Sequence, residues 1–536
     1  MLTVCFSVML LLLSCNKRRQ NDANFFKYNE VSGISSLDPA FAKSQSVIWA
    51  THQLYSTLVE TDEQLHVVPS VAKSWDISAD RLQITFHLRN DVFFHDNAAF
   101  ANGKGRRVVA ADVVYSFQRL MDKSTASPGA WIFHNRIDTV KGFEALNDTT
   151  FRINLQKPFV QILGVLSNVY CSIVPKEVVE KFGADFRRNP CGSGPFRFKA
   201  WEEGQALILE RNPGYFETDS TGKRLPYVDG IKVSFLDNKA SEFMEFRQGN
   251  LHFINDIDAS FKDEVLSKKG ELRDSWKGKI VLNKHPYLNI EYIGILVDST
   301  NPLVKNSPLK LKAIRQAINY GFDRRKMMLY LRNSIGTAAE SGFVPTGLPS
   351  FDSAVVKGYS YNPQKAKALL KEAGFGNGKP MPEIKLLTIP IYADLGSYIA
   401  RQLQDVGFNI KVEAVQKSLL LTQTAKSEAL FFRGSWIADY PDAENYLSVF
   451  YGKNPAPPNY TRYKNPLFDV LYEQSTREPN DSIRYQLYQK MDQLIMQDAP
   501  VVPLWYDMVI HLVQPNVKGF QPNALNWLEL RRVKIM

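Results

Sequence analysis

Polar and apolar residues alternate strictly along Gln83–Arg89 (QITFHLR) and Thr150–Leu155, the period-two pattern of strands with one buried face. Elsewhere the period is helical. Val47, Ile48, Ala50, Thr51, Leu54, Tyr55 and Leu58 fall on one face of a helix over Val47–Leu58. Ala111–Met121 repeats this with Val113, Val114, Phe117, Leu120 and Met121, and carries Asp112 in the first turn, where the helix dipole favours an acid. Pro175 opens a helix through Phe182, and Pro363–Glu372 is capped by Asn362 and stopped at Gly374. A helix over Leu395–Val406 stops at Gly407 and a strand resumes at Phe408–Ala414, giving a strand–helix–strand unit from Ile384 to Ala414. Further helices are predicted over Lys239–Gln248, Leu309–Gly321, Asp323–Leu331 and Ser482–Gln497. Further strands are predicted over Phe196–Ala200, Leu207–Arg211, Gly230–Leu236, Asn289–Val297, Val501–Tyr506 and Val509–Val513. Tyr28–Pro39 reads as a strand running into a turn at Asp38-Pro39. Helices and strands intermixed without an internal repeat predict α/β domains.

The chain has 536 residues, enough for two to four domains, and its 44% apolar and 22% charged residues make it globular. The net charge is +10, from 65 basic and 55 acidic residues. Beyond residue 19 the basic residues are scattered. The clusters Lys104–Arg107, Arg187-Arg188 and Arg324–Lys326 form no stripe interleaved with aromatics, so the charge reads as a solvated surface and not as a nucleic-acid footprint. The four cysteines (Cys5, Cys15, Cys171, Cys191) lack metal-ribbon spacing and are too few for a disulfide scaffold. The chain has no nucleophile-elbow, zincin, P-loop or dinucleotide fingerprint, and no two of its eight histidines stand four apart. No cofactor, metal or enzymatic activity is expected. One acid pair, Asp439 and Asp442 in DYPD, keeps a secreted hydrolase open as an alternative.

Residues 1–15 (MLTVCFSVMLLLLSC) carry no charge. The stretch is too short to span ~30 Å of hydrocarbon but suits the core of a signal peptide. Leu12-Leu13-Ser14-Cys15 resembles the lipobox of bacterial lipoproteins, which implies cleavage before Cys15 and lipidation of its thiol. Each buried CH₂ contributes ~0.8 kcal/mol, so several acyl chains anchor a protein permanently. Residues 16–23 then form a tether whose Lys17, Arg18 and Arg19 lie beside headgroups. The expected location is periplasmic, on a membrane anchor. The usual basic residues ahead of the apolar core are missing, which places a true start upstream among the possibilities.

Nine segments occur in one order: SLDP (Ser36–Pro39), VVPSVAKSW (Val67–Trp75), VAADVVYSFQRL (Val109–Leu120), PCGSGPFRF (Pro190–Phe198), IRQAINYGFDRRK (Ile314–Lys326), YNPQKAKALLKEAGF (Tyr361–Phe375), QLQDVGFNIKVE (Gln402–Glu413), RGSWIADYPD (Arg433–Asp442) and IMQDAPVVPLW (Ile495–Trp505). Together they resemble the extracytoplasmic solute-binding proteins of family 5, the dipeptide- and oligopeptide-binding components of ABC importers. The resemblance implies a two-lobed periplasmic-binding-protein fold of the class II type with an extra domain inserted near the N-terminus. Lobe one would comprise 24–49, 164–285 and 505–536, the insertion 50–163, and lobe two 286–504. The hinge would lie near Pro286–Gly294 and Val502–Trp505. It also implies a monomer that hands its ligand to an inner-membrane permease.

A peptide enclosed between lobes loses water from its amides and its ammonium, and each unpaired amide costs ~1–3 kcal/mol. A general peptide binder therefore pairs the backbone by strand addition and meets the ammonium with a carboxylate. By the family resemblance Asp439, three residues after Trp436, takes the ammonium; a turn or helix-cap role is its structural alternative. Arg433 coincides with an arginine that meets the ligand carboxylate in some oligopeptide binders. The backbone of Gly434, Ser435, Trp436 and Ile437 would form one edge of the ligand ribbon, and Ala42–Gln45, with Lys43, Ser44 and Gln45, the opposite edge. Trp436 would supply an apolar wall. Cys171 and Cys191 are open to two readings: a disulfide closing about 20 residues, contributing roughly 3 kcal/mol, or two buried thiols. The same fold also accommodates nickel chelates, haem, oligosaccharides or opines.

Overall fold

A computed structural model describes residues 24–376 and 379–536. Two long strands, Val281–Ile295 and Val501–Val513, are antiparallel and paired from Val281 with Val513 to Gly294 with Val501. They are the shared centre of an eleven-stranded sheet. At one end Val501–Val513 is joined in order by Phe253–Asn255, Phe25–Asn29, Gly230–Ser234, Ala206–Arg211 and Phe196–Glu202. At the other end Val281–Ile295 is joined by Phe431–Ile437, Glu383–Thr388 and Asn409–Ala414. The last two strands are parallel and connected by helix Ala393–Val406, the predicted strand–helix–strand unit; Gly407 ends that helix at a φ of 110°.

Each half thus builds a sheet on apolar cores of its own, and the two long strands are shared between them. The ladder slips between Pro286 and Ile290, opposite Met508 and Tyr506, and again between Glu291 and Tyr292. Pro286 has no N–H to donate, which favours the first slip. Leu288 turns aside there, donating to Ala524 O (2.8 Å) and accepting from Ala438 N (2.8 Å) and Tyr446 Oη (2.6 Å). The expected strands Val501–Tyr506 and Val509–Val513 are one. Asp507 interrupts the apolar run in sequence but is satisfied in place by Asn289 (3.0 Å) and Arg332 (3.3 Å). Asn289–Val297 likewise proves to be the second half of a longer strand. The helix expected over Val47–Leu58 spans Gln45–Leu54. Its last predicted residues pair as extended chain, with Ser56 and Thr57 carbonyls accepting from Ile173 and Val71.

One apolar core contains Phe26, Tyr28, Trp49, Leu207, Ile231 and Leu528 together with Phe86, Phe117, Phe133 and Phe151. The four-stranded sheet of Ala72–Ile77, Gln83–Leu88, Thr150–Asn154 and Phe143–Asn147 is therefore fused to the first half without a gap. The other half has two cores, one around Ile293, Ile318, Leu403 and Phe431, the other around Tyr292, Phe343, Tyr446 and Phe450. The halves also interlock: Tyr440 packs in the first half's core and Leu65 in a core of the second.

SLDP owes its form to Asp38, whose carboxylate caps the turn at Ala40 N (3.0 Å) and takes both arms of Arg119 (3.0 and 2.6 Å). Cys171 and Cys191 are separate buried thiols, which corrects the disulfide reading: their sulfurs face different carbonyls, Val165 O and His95 O, and burial pushes both well up from the usual thiol range. Residues 1–15 with Cys15, and the tether 16–23, lie outside the described residues. Among the described residues no helix is long and apolar enough to cross a membrane.

Candidate functional site

Strand Phe431–Ile437 is paired along its whole length on one side, from Phe431 with Ile295 to Ile437 with Asn289. On its other side the neighbouring strand Glu383–Thr388 meets it at a single position, Leu387 with Phe432. The edge of Gly434–Ile437 is therefore unpaired by any described strand, although it sits inside a large sheet. Such an edge is a template for an added strand. Gly434 is dictated by packing: a Cβ there would come within 2.7 Å of the Tyr292 ring. Trp436 is half-buried and donates its Nε1–H to Asn445 Oδ1 at 2.9 Å, while the Ile437 side chain is 51% exposed.

Beyond the strand, Asn445 holds Asp439 at both ends, accepting from its backbone N–H (3.2 Å) and donating to its carboxylate (3.2 Å). Asn168 of the first half donates to the Asp439 carbonyl at 2.9 Å. Asp439 keeps solvent access, yet loss of water around it raises its pKa, against the lowering effects of the Asn445 bond and the Arg136 guanidinium. Tyr170, also of the first half, feels the Asp439 charge: burial and then that carboxylate push its phenol to about 12. Asp439 thus stands at a seam between the halves. The next residue, Tyr440, stacks on Trp131 with ring centres 6.2 Å apart.

Asp442 is engaged elsewhere. It accepts from Glu444 N (2.8 Å) and Tyr488 Oη (2.6 Å), and burial pushes its carboxyl up to about 6. It serves the turn, as a structural acid, and offers no free partner to Asp439 for hydrolysis.

Arg433 is already paired. Its guanidinium donates to the Glu291 carboxylate and lies 4.1 Å from the Tyr392 ring centre; the two side chains of the ion pair are 14% and 4% exposed. At the expected opposite edge, Lys43 and Ser44 are exposed and Gln45 is half-buried, its amide donating to Asn526 O at 3.2 Å. Ala42 N and Lys43 N bond to the Pro39 and Phe41 carbonyls, which removes two of the four N–H groups of Ala42–Gln45 from any ribbon. Among the described residues no group of acids, histidines and cysteines is arranged to hold a metal.

Four participants escaped sequence reasoning: Glu291, Asn445, Arg136 and Asn168. Only Glu291 carries a signal, a charge inside the apolar run Leu288–Leu296, since a buried carboxylate demands a partner.

Residues 66–458, more than half of the chain, match the middle region of the bacterial extracellular solute-binding proteins, family 5. The chain belongs to this family. The periplasmic oligopeptide-binding protein of Salmonella typhimurium is 26% identical over 513 residues, covering 92% of this chain and 89% of that one. The heme-binding protein A of Haemophilus influenzae is 26% identical over 522 residues, covering 94% and 90%. The periplasmic binding protein DppA of Helicobacter pylori, solved in complex with the peptide STSA, superposes with a TM-score of 0.75 at 25% identity, covering 96% of this chain and 99% of that one. The fold is thus the two-lobed α/β fold of the periplasmic peptide-binding proteins, and the relatives are binding components of transport, not enzymes.

Proposed function

We propose that this protein is the substrate-binding component of an ABC importer and that its ligand is an extended peptide held between the lobes. The observation that carries the reading is the unpaired edge of Gly434–Ile437 leading directly to the exposed carboxylate of Asp439, whose pKa is raised. An edge of that kind satisfies peptide amides of any sequence. A carboxylate that loses its water as a ligand is enclosed gains most from a cationic partner, and the ligand ammonium is one. Trp436 and Ile437 flank the edge and give side chains an apolar surface. The peptide ligands of the Salmonella and Helicobacter relatives support the same assignment.

The lobes would comprise 24–49, 164–285 and 505–536 on one side and 286–504 on the other, with 50–163 inserted. The register break at Pro286–Ile290, opposite Tyr506–Met508, suits a hinge, slightly beyond the Val502–Trp505 expected for the second crossing. Lipidation at Cys15 would hold the monomer at the membrane beside its permease.

The test is extraction and mass spectrometry of the ligand that co-purifies with the protein starting at residue 16. Peptides of mixed sequence are expected. A haem absorption band, or bound nickel without peptide, overturns the reading.

A further inference from the structure

Four charged side chains form one connected group beside the start of the free edge. Arg433 donates to Glu291. Asn289 Nδ2 bridges Glu291 Oε1 (3.4 Å) and Asp507 Oδ2 (3.0 Å). Arg332 donates to Asp507 Oδ1 at 3.3 Å and lies 4.7 Å from the Trp505 ring centre. The group spans four segments: both long strands, strand Phe431–Ile437 and the turn after helix Arg324–Leu331. Two guanidinium groups meet two carboxylates, so with Glu291 ionised the charges cancel before any ligand arrives.

Arg433 precedes Asp439 by six residues, at most roughly 20 Å at ~3.3 Å per residue, and the strand ends at Ile437 before reaching Asp439. A ligand whose ammonium meets Asp439 therefore brings its far end near Arg433 when it has roughly six residues or fewer. A free carboxylate there would be a third anion next to Glu291 and Asp507, in a site where Arg433 and Glu291 are almost wholly buried. Desolvated charge without a partner is strongly unfavourable. Burial, reinforced by Asp507, already pushes Glu291 up to about 7 despite Arg433. The Arg433 Nε, by contrast, is buried without an acceptor. A neutral carbonyl beside the group leaves the charge balance intact.

We propose that Glu291 is a specificity-determining positioning residue: it occupies Arg433 in place of a ligand carboxylate, so that the ligand presents an uncharged carbonyl at this point or continues past it. The inference rests on the peptide reading above. It removes any advantage of a free acid over an amide at the end of a short peptide.

The experiment is calorimetry with tetra- to hexapeptides, each as the free acid and as the C-terminal amide, at about pH 8, where Glu291 is ionised. In the wild-type protein the free acid should bind no more tightly than the amide. Glu291→Gln releases Arg433 and should favour the free acid over the amide by about tenfold or more; Glu291→Gln with Arg433→Gln should return the ratio to within about threefold. A structural ion pair with no part in recognition would lower stability in Glu291→Gln but leave the acid-to-amide ratio unchanged, and that result overturns the proposal. So does a wild-type preference for the free acid of about tenfold or more, a measurement independent of how well the variants fold. If no peptide of the panel binds, the peptide reading fails and this inference falls with it. Peptide binding with a strong acid preference refutes the inference alone.

Discussion

Replacing Asp439 by Asn removes one charge and keeps the shape. The side chain retains a partner in Asn445, whose amide and carbonyl oxygen can both still bond at about the present 3.2 Å. A bound ammonium, however, loses its counter-ion. Truncating one partner of a desolvated charge pair costs about 2–5 kcal/mol. Asp439 is exposed in the empty protein, which places the expected loss near the lower end, about 2–3 kcal/mol, or roughly 30- to 150-fold in Kd. N-acetylation of the peptide removes the same interaction from the other side. It should weaken binding to the wild type by a similar factor and have little further effect on Asp439→Asn, the signature of a coupled pair in a double cycle. The direction with pH follows from the raised pKa of Asp439 in the free protein. A bound ammonium favours the ionised acid, so the complex holds fewer protons than the free protein. Affinity therefore rises with pH through that titration, with proton release measurable in buffers of different ionisation enthalpy. For the empty protein the same raised pKa means that the charge works against folding, so Asp439→Asn should hold or raise the melting temperature at neutral pH. Calorimetry showing equal affinity of variant and wild type, or an acetylation penalty that survives in Asp439→Asn, refutes the assignment.

Asp492 accepts from Phe343 N (2.6 Å) and Val344 N (3.2 Å), and burial pushes its carboxyl up to about 7. Its native pKa lies above the unfolded value, so its stabilising proton is fully present at low pH and is lost as pH rises towards 7. Between about pH 5 and about pH 8 the stability of Asp492→Asn relative to wild type should improve by on the order of 1–4 kcal/mol, read from denaturant unfolding at both pH values. Arg119→Met leaves Asp38 buried and unpaired and should cost about 3–5 kcal/mol, most of it recovered when Asp38→Asn is added; melting curves of the three variants check this. Cys171 and Cys191 should react with a thiol reagent only after unfolding, two equivalents in the protein starting at residue 16, and reductant should leave the melting temperature unchanged.

The sequence made plainest those elements that its local chemistry brackets. Helix Pro363–Glu372 matches its prediction residue for residue because Asn362 accepts from Lys365 N (2.9 Å) and Gly374 adopts a φ of 82°. Helix Ala110–Met121 was legible from its stripe and from Asp112, which returns a bond to Val109 N (2.9 Å). The long central strands were harder to read, because Pro286 and Asp507 look like breaks until Asn289 of the opposite strand and Arg332 of the turn after helix Arg324–Leu331 meet the Asp507 carboxylate. The site was visible as a motif and not as a structure: RGSWI has no alternation, and its free edge depends on a neighbouring strand that ends its pairing at Leu387. Asn168 and Arg136, which reach Asp439 from far earlier in the chain, are ordinary in type. The pairing of Arg433 with Glu291 needed the strand register, which places Glu291 opposite Ser435, two residues from Arg433.

A crystal structure of the protein with its co-purified ligand tests the central claim most directly. The account predicts a peptide whose backbone pairs along Gly434–Ile437 and whose ammonium lies about 2.7–3.2 Å from the Asp439 carboxylate. A solute without an ammonium at that carboxylate, or a peptide bound away from this edge, contradicts it.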